Sequence, residues 1–196
     1  PEHLQRPLTR LQACDGFGEG PVTVFIDGAR HPADAEAVSA VQEVARGALG
    51  ANADIRLSAD NRGLSASITG GIADRLNHHG RVIVVEDDLE LAPTFLRFMA
   101  SALDRYADDP RVFQISGYMF DVPGFKTRTD AMFLPLTTTW GWSTWSRAWK
   151  AYDPAATGWK RLLSDRALRR RFNLGGSYDF VRLMKRQARG QSDSWG

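Results

Sequence analysis

Residues 81–88 have the sequence Arg81-Val-Ile-Val-Val-Glu-Asp-Asp88, in which an apolar run leads directly into three carboxylates. The apolar residues do not alternate with polar ones, which is typical of a parallel strand covered on both faces. Apolar residues recur every four positions before it, from Leu64 to Leu76, and Pro93 suits the first turn of a helix after it. We therefore expect a strand between two helices, the repeating unit of a three-layer α/β sandwich.

The same alternation of strands and helices extends along the chain. Apolar spacing predicts a helix over residues 3–14, a strand over 21–26, a helix over 33–47, and strands over 55–57 and 112–115. After Phe125 the pattern changes to an aromatic loop region, a basic helix near residues 159–172 and a helix from Ser177 to Arg189 with Ser177 as its N-cap. This order predicts a mostly parallel sheet within a single domain.

The chain has 196 residues, of which 43% are hydrophobic and 24% charged, an ordinary globular composition. Cys14 is the single cysteine, so no disulfide forms within the chain. No apolar run approaches the roughly 18 residues of a transmembrane helix. No signal peptide is recognised, so we expect a cytoplasmic setting. The sequence begins at Pro1 and stops at Gly196 without a terminating feature, which suggests a fragment at both ends.

Charge divides the chain into two unlike parts. Residues 1–125 contain 11 basic and 18 acidic residues, net −7, whereas residues 126–196 contain 14 and 5, net +9. All six tryptophans also lie after Phe125. The basic part contains no recognised nucleic-acid-binding module, so we do not expect a nucleic-acid partner.

The acidic triplet Glu86-Asp87-Asp88 follows the most hydrophobic predicted strand. Ligands of open parallel sheets bind beyond the carboxyl ends of the strands. Adjacent carboxylates repel one another, and a hard cation such as Mg²⁺ or Mn²⁺ relieves that repulsion while it bridges to substrate phosphates. The alternative is a solvated acidic turn; the buried strand before it favours the metal site.

This segment resembles a known family. Residues 82–95, Val-Ile-Val-Val-Glu-Asp-Asp-Leu-Glu-Leu-Ala-Pro-Thr-Phe, are similar to the metal-binding segment of the N-acetylglucosaminyltransferase I family and of related bacterial family 2-like glycosyltransferases. Residues 134–145, Leu-Pro-Leu-Thr-Thr-Thr-Trp-Gly-Trp-Ser-Thr-Trp, resemble the same family. The resemblance extends over nearly the whole chain. It implies a GT-A fold, here without the first strand of that fold, and transfer from a nucleotide-diphospho-sugar.

The resemblance also implies roles for individual residues. Asp88 becomes the metal ligand, for Mn²⁺ or Mg²⁺, and Glu86 and Asp87 contact the donor sugar or the ribose. Asp27, which also lies at the end of a predicted strand, matches the position that binds the nucleotide base, and Arg62 approaches the nucleotide. Residues 1–125 thereby form the nucleotide- and metal-binding part, and residues 126–196 the acceptor-binding part.

The tryptophan-rich segment has two interpretations. Aromatic rings stack on the C–H faces of sugars, but buried aromatics also dominate protein cores. The resemblance favours Gly141 and Trp142 as acceptor-binding residues, whereas Trp145 and Trp149 have the spacing of one buried helix face. The basic helix at residues 160–171, with Leu162, Leu163 and Leu168 facing inward, suits either peripheral contact with an anionic membrane or a solvated surface.

The expected activity is metal-dependent, inverting transfer of a sugar from a UDP-sugar to a saccharide, or to a lipid-linked saccharide. Inverting transfer needs a base beside the acceptor hydroxyl. Asp193, in a segment resembling the acidic-residue-plus-Trp motif of the family, is the predicted base, and Asp153 and Asp179 are weaker candidates. Two alternatives stay open: a sugar nucleotidyltransferase and a noncatalytic carbohydrate-binding protein.

Overall fold

The computed structural model describes residues 2–50, 53–123 and 131–191. Its strands are β1 (Thr23–Ile26), β2 (Asp54–Leu57), β3 (Arg81–Val84), β4 (Ile115–Ser116) and β5 (Trp142–Trp145). Its α-helices are α1 (Glu2–Gln12), α2 (Ala35–Leu49), α3 (Leu64–His79), α4 (Phe95–Arg105), α5 (Ser146–Trp149), α6 (Arg161–Ser164), α7 (Arg166–Phe172) and α8 (Phe180–Ala188). The protein is a mixed α/β structure, and the predicted succession of elements up to β4 is confirmed.

The strands form two small sheets. β1 and β2 pair in parallel, with Thr23 opposite Asp54 and Ile26 opposite Leu57. In the second sheet, β5 lies between β3 and β4 and is antiparallel to both. Two of the three described strand pairs are therefore antiparallel, because a late strand from the tryptophan-rich segment inserts between β3 and β4, which run parallel to each other. A mostly parallel sheet over the whole domain stays a prediction.

Helix α3 packs against the second sheet, and its two ends lie near opposite ends of β3. Its C-terminal end is fixed to the end of β5: the Ser146 amide donates to the Gly80 carbonyl at 2.8 Å, and the Ser146 hydroxyl donates to the Leu76 carbonyl at 2.9 Å. Helix α3, about 24 Å long, then runs back past a strand of about 13 Å. Its N-terminus consequently extends beyond the carboxyl end of β3.

Two apolar clusters cover the two faces of the β3-β5-β4 sheet. The cluster on the α4 side contains Phe95, Met99 and Leu103 with Trp145, and the cluster on the α3 side contains Ile72 and Leu76 with Trp142. This division follows from the twofold alternation of side chains along β5, which sends Trp142 and Trp145 to opposite faces.

Trp145 and Trp149 do not share a helix face, contrary to expectation. Trp145 belongs to β5 and packs against α4, and its indole N–H donates to the Leu103 carbonyl at 3.1 Å. Trp149 ends the short helix α5 and packs with Trp142 in the other cluster. A spacing of four residues has no meaning across a junction between a strand and a helix.

The C-terminal helices also differ from the prediction. The expected single basic helix is divided at Asp165, whose carboxylate accepts from the Leu168 amide and caps α7. Leu162 is buried, whereas Leu163 is exposed rather than inward. The N-cap of α8 is Asp179, not Ser177. Among the described helices, none is both long enough and apolar enough to cross a bilayer.

Candidate functional site

The acidic turn and the N-terminal end of β5 lie at one edge of the second sheet. Val84 at the end of β3 and Ser116 at the end of β4 are both paired with Trp142, the first residue of β5. The segments that follow β3 and β4 and the segment that precedes β5 therefore leave the sheet on the same side. The N-terminus of α3 extends toward this edge as well.

The acidic triplet forms the turn that leaves β3. Glu86 is half-buried, Asp87 and Asp88 are exposed, and the Leu89 amide donates to the Glu86 carbonyl at 3.4 Å. Within residues 2–50, 53–123 and 131–191, no three His, Cys, Asp or Glu side chains gather into a group that could hold a metal ion. An all-protein cage is thus not formed by the described residues. Exposed Asp88 does fit the sparser arrangement in which one carboxylate shares the ion with substrate phosphates and water.

Asp27 connects the loop after β1 to the N-terminus of α3. Its carboxylate accepts from the backbone amides of Arg62 and Gly63, both at 2.9 Å, and from that of Gly28 at 3.0 Å. Partial burial works to raise the pKa of Asp27, but these hydrogen bonds outweigh it and hold the pKa below its usual value. Asp27 therefore positions the loop before α3, and contact with a nucleotide base stays a prediction.

Gly28 makes the close approach of these two loops sterically allowed. A Cβ at this position would lie 2.5 Å from the Asp60 carbonyl carbon, too close for any other residue. The Asn61 side-chain amide adds a hydrogen bond to the Gly28 carbonyl at 2.8 Å. The loop that presents Arg62 is thus fixed by the Asp27 carboxylate, the Asn61 side-chain amide and the close approach at Gly28, and not by the Arg62 side chain.

Arg62 lies along the first turns of α3. Its guanidinium covers Gly70, where an added Cβ would lie 3.5 Å from Nη2. The side chain is exposed, at the helix N-terminus that extends toward the sheet edge. A cation in this position suits the phosphates of a nucleotide, which also interact favourably with a helix N-terminus.

Trp142 and Gly141 occupy the interior instead of an open acceptor surface. The Trp142 side chain is 4% exposed and packs against Ile72 and Leu76. Gly141 has φ +66° and faces Phe95, whose Cε2 would lie 3.0 Å from an added Cβ. Both residues meet requirements of the core, and the structure corrects their expected role in stacking on a sugar.

Three other aromatic residues form an exposed cluster at the same sheet edge. Tyr118 packs edge-on against Trp140 at 4.5 Å and against Phe120 at 5.3 Å, centroid to centroid. Their exposed fractions are 38% for Tyr118, 44% for Phe120 and 49% for Trp140. We call these three residues the aromatic cluster. In the sequence, Tyr118 and Phe120 follow β4 and Trp140 precedes β5. These positions predict a shared site only once the pairing of the two strands is known.

The predicted base, Asp193, lies outside the described residues. Of the two weaker candidates, Asp153 accepts from the Thr157 hydroxyl at 2.7 Å and from the Ala155 amide at 3.0 Å. The Thr157 hydrogen bonds lower the pKa of Asp153. Asp179 caps α8 by accepting from the Arg182 amide at 3.1 Å. Each of these carboxylates thus has a structural role in its own segment.

Comparison of the chain with models of known protein families, with curated proteins and with solved structures finds no match.

Proposed function

We propose that this chain is a metal-dependent glycosyltransferase with a GT-A-type arrangement, which transfers a sugar from a UDP-sugar to a saccharide hydroxyl with inversion. One observation carries the proposal: the acidic turn after β3 and the aromatic cluster lie at the same edge of one sheet. This arrangement combines a carboxylate for a metal-bound diphosphate with apolar rings for a sugar. The resemblance of residues 82–95 to the glycosyltransferase family supports the same function.

The donor is assigned to the acidic turn and the loop before α3. Asp88 would hold Mn²⁺ or Mg²⁺, which supplies Lewis-acid stabilisation of the leaving diphosphate when bound. Glu86 and Asp87 would accept hydrogen bonds from the hydroxyls of the ribose or donor sugar. Arg62 would bind a phosphate oxygen, and the Asp27 loop would lie against the base.

The acceptor is assigned to the aromatic cluster, which replaces Gly141 and Trp142 in that role. Exposed rings bind the C–H faces of a pyranose and keep its hydroxyls accessible. Asp193 stays the predicted base: it would take the proton from the acceptor hydroxyl as that oxygen bonds to the anomeric carbon and the bond to the diphosphate breaks. Asp193→Asn should lower transfer by about 10²-fold or more and leave UDP affinity unchanged.

Calorimetric titration of UDP, with Mn²⁺ and then with a chelator, tests the donor site. We expect UDP binding that depends on Mn²⁺ and is lost in Asp88→Asn. Asp108→Asn provides the control, because Asp108 is also an exposed loop aspartate but follows α4. Equal UDP affinity of the wild type and Asp88→Asn in Mn²⁺ would contradict the assignment of Asp88.

The aromatic cluster also favours one alternative, a noncatalytic carbohydrate-binding protein. Such a protein would bind oligosaccharides with the same affinity whether or not Mn²⁺ and UDP are present. A glycan array probed under both conditions separates the two functions. Saccharide binding that Trp140→Ala abolishes, together with no binding of UDP in Mn²⁺, would favour the alternative.

A further inference from the structure

Helices α6 to α8 carry a concentrated positive charge. Residues 160–189 contain ten basic residues and two acidic ones, a net charge of +8. Nine of the ten basic side chains are exposed, and Lys185 is half-buried. We call this segment the basic unit, and α7 contacts both α6 and α8 within it.

The two acidic residues do not neutralise this charge. Asp165 and Asp179 are the N-caps of α7 and α8, and each carboxylate accepts from a backbone amide of its own helix. Among the ion pairs between described side chains, none involves a basic residue of this segment. The arginines of the basic unit are therefore available to an external anion.

An open depression concentrates part of this charge. Arg166, Arg169 and Arg170 line it together with Asn173 and Gly176, and its volume is about 320 Å³. The guanidinium groups of three arginines around one depression suit a phosphate, which an arginine can bind through two parallel hydrogen bonds.

Large apolar side chains are exposed among these cations: Leu163, Phe172, Tyr178 and Leu183. Phe172 and Tyr178 both contact the Phe180 ring, at centroid distances of 6.1 and 4.7 Å, so the two exposed rings have a common support. Cations mixed with exposed leucine and aromatic side chains are typical of surfaces that lie on anionic membranes. Nucleic acids offer no comparable partner for the aliphatic Leu163 and Leu183.

From these observations we infer that the basic unit docks on an anionic phospholipid bilayer, with lipid phosphates bound by the arginines and the exposed apolar side chains inserted at the interface. Charge and apolar exposure occur on the same short segment, and each makes the other more effective at a bilayer surface. This inference does not depend on the proposed transferase activity, since docking requires neither UDP nor a metal.

Co-sedimentation of the full chain with vesicles tests the inference. We expect binding to vesicles of phosphatidylcholine with phosphatidylserine, weakening as salt is raised, and little binding to phosphatidylcholine alone. The triple variant Arg166→Glu, Arg169→Glu and Arg170→Glu should bind at least about 100-fold more weakly, since the three lost cations alone are worth roughly fivefold each near the surface and the three added carboxylates are repelled by the anionic lipids. The matched control reverses three exposed arginines elsewhere, Arg10→Glu, Arg30→Glu and Arg46→Glu, and should bind at near wild-type strength.

A second variant tests the apolar contribution without changing charge. Leu183→Ser should weaken binding to the anionic vesicles and leave far-UV circular dichroism unchanged, because this side chain is exposed. Equal binding to neutral and to anionic vesicles would overturn the inference. An equal loss of vesicle affinity in the triple variant and in its control would also overturn it. Displacement of the protein from anionic vesicles by a single-stranded oligonucleotide at comparable concentration would overturn it in favour of a nucleic-acid surface.

Discussion

Asp27 Oδ2 accepts a hydrogen bond from the backbone amide of Gly63 at 2.9 Å. This contact joins the loop after β1 to the N-cap residue of α3. Gly63 contributes no side-chain cap, so Asp27 serves α3 from a distant part of the chain. A negative charge at a helix N-terminus is also favourable with respect to the helix dipole.

Asp27→Ala should therefore destabilise the protein by about 1.5 to 3 kcal/mol, the range for hydrogen bonds to a charged group. Chemical denaturation at neutral pH measures this loss, and Asp108→Ala, in an exposed loop, should cost much less. Near wild-type stability of Asp27→Ala would show that the α3 N-terminus is held without this carboxylate.

The stabilisation by Asp27 should depend on pH. Its pKa in the folded protein is lowered, so its contribution is fully present above the ordinary pKa of an aspartate and disappears as the pH falls through the folded value. The difference in free energy of unfolding between the wild type and Asp27→Ala should consequently shrink in acid. A difference that stays constant as the pH falls through the folded pKa of Asp27 would assign the effect to packing and not to charge.

Trp142 and Trp140 provide a matched pair. Trp142→Ala should cost about 3 to 5 kcal/mol, because it removes a buried indole from the cluster around Ile72 and Leu76. Trp140→Ala should lower the stability of the protein less and its saccharide affinity more, because Trp140 is half exposed in the aromatic cluster. Thermal unfolding and saccharide titration measure the two effects. A small loss of stability in Trp142→Ala would show that Trp142 does not contribute to the core.

Gly141→Ala should destabilise the fold by about 1 to 3 kcal/mol. The positive φ and the nearby Phe95 ring both oppose a Cβ at this position. Gly158→Ala is the control, because a Cβ there meets no atom within 4 Å. Equal stability of the two variants in denaturant would show that the chain at Gly141 rearranges freely.

Arg147 should not tolerate substitution by lysine. Its guanidinium lies 4.3 Å from the Trp145 ring centroid and donates to the carbonyls of Tyr106, Ala107 and Val112, at 2.7, 2.6 and 2.9 Å. Lysine keeps the charge but cannot serve three carbonyls of this geometry, so we expect a loss of about 1 to 3 kcal/mol. Arg105→Lys, at an exposed position, should be nearly neutral in the same denaturation experiment, and similar costs for both would contradict a special role for the Arg147 guanidinium.

The candidate site was only partly predictable from the sequence. The turn at residues 86–88 follows a strand as expected, and Arg62 precedes a helix as expected. The burial of Trp142 was not predictable, because neighbouring tryptophans have the same composition and only strand pairing decides which of them face inward. The role of Arg147 could not be predicted either, because its three carbonyl partners come from the end of α4 and the loop after it, far away in the sequence.

The sequence by itself determined the kind and succession of the elements up to β4, since hydrophobic periodicity, glycine ends and helix starts depend on residues within one or two turns of each other. Only the tertiary structure decided the insertion of β5 between β3 and β4, because pairing depends on which distant strands bury each other's faces. That insertion sent Trp142 and Trp145 into opposite clusters and left Tyr118, Phe120 and Trp140 exposed at the same edge of the sheet as the acidic turn.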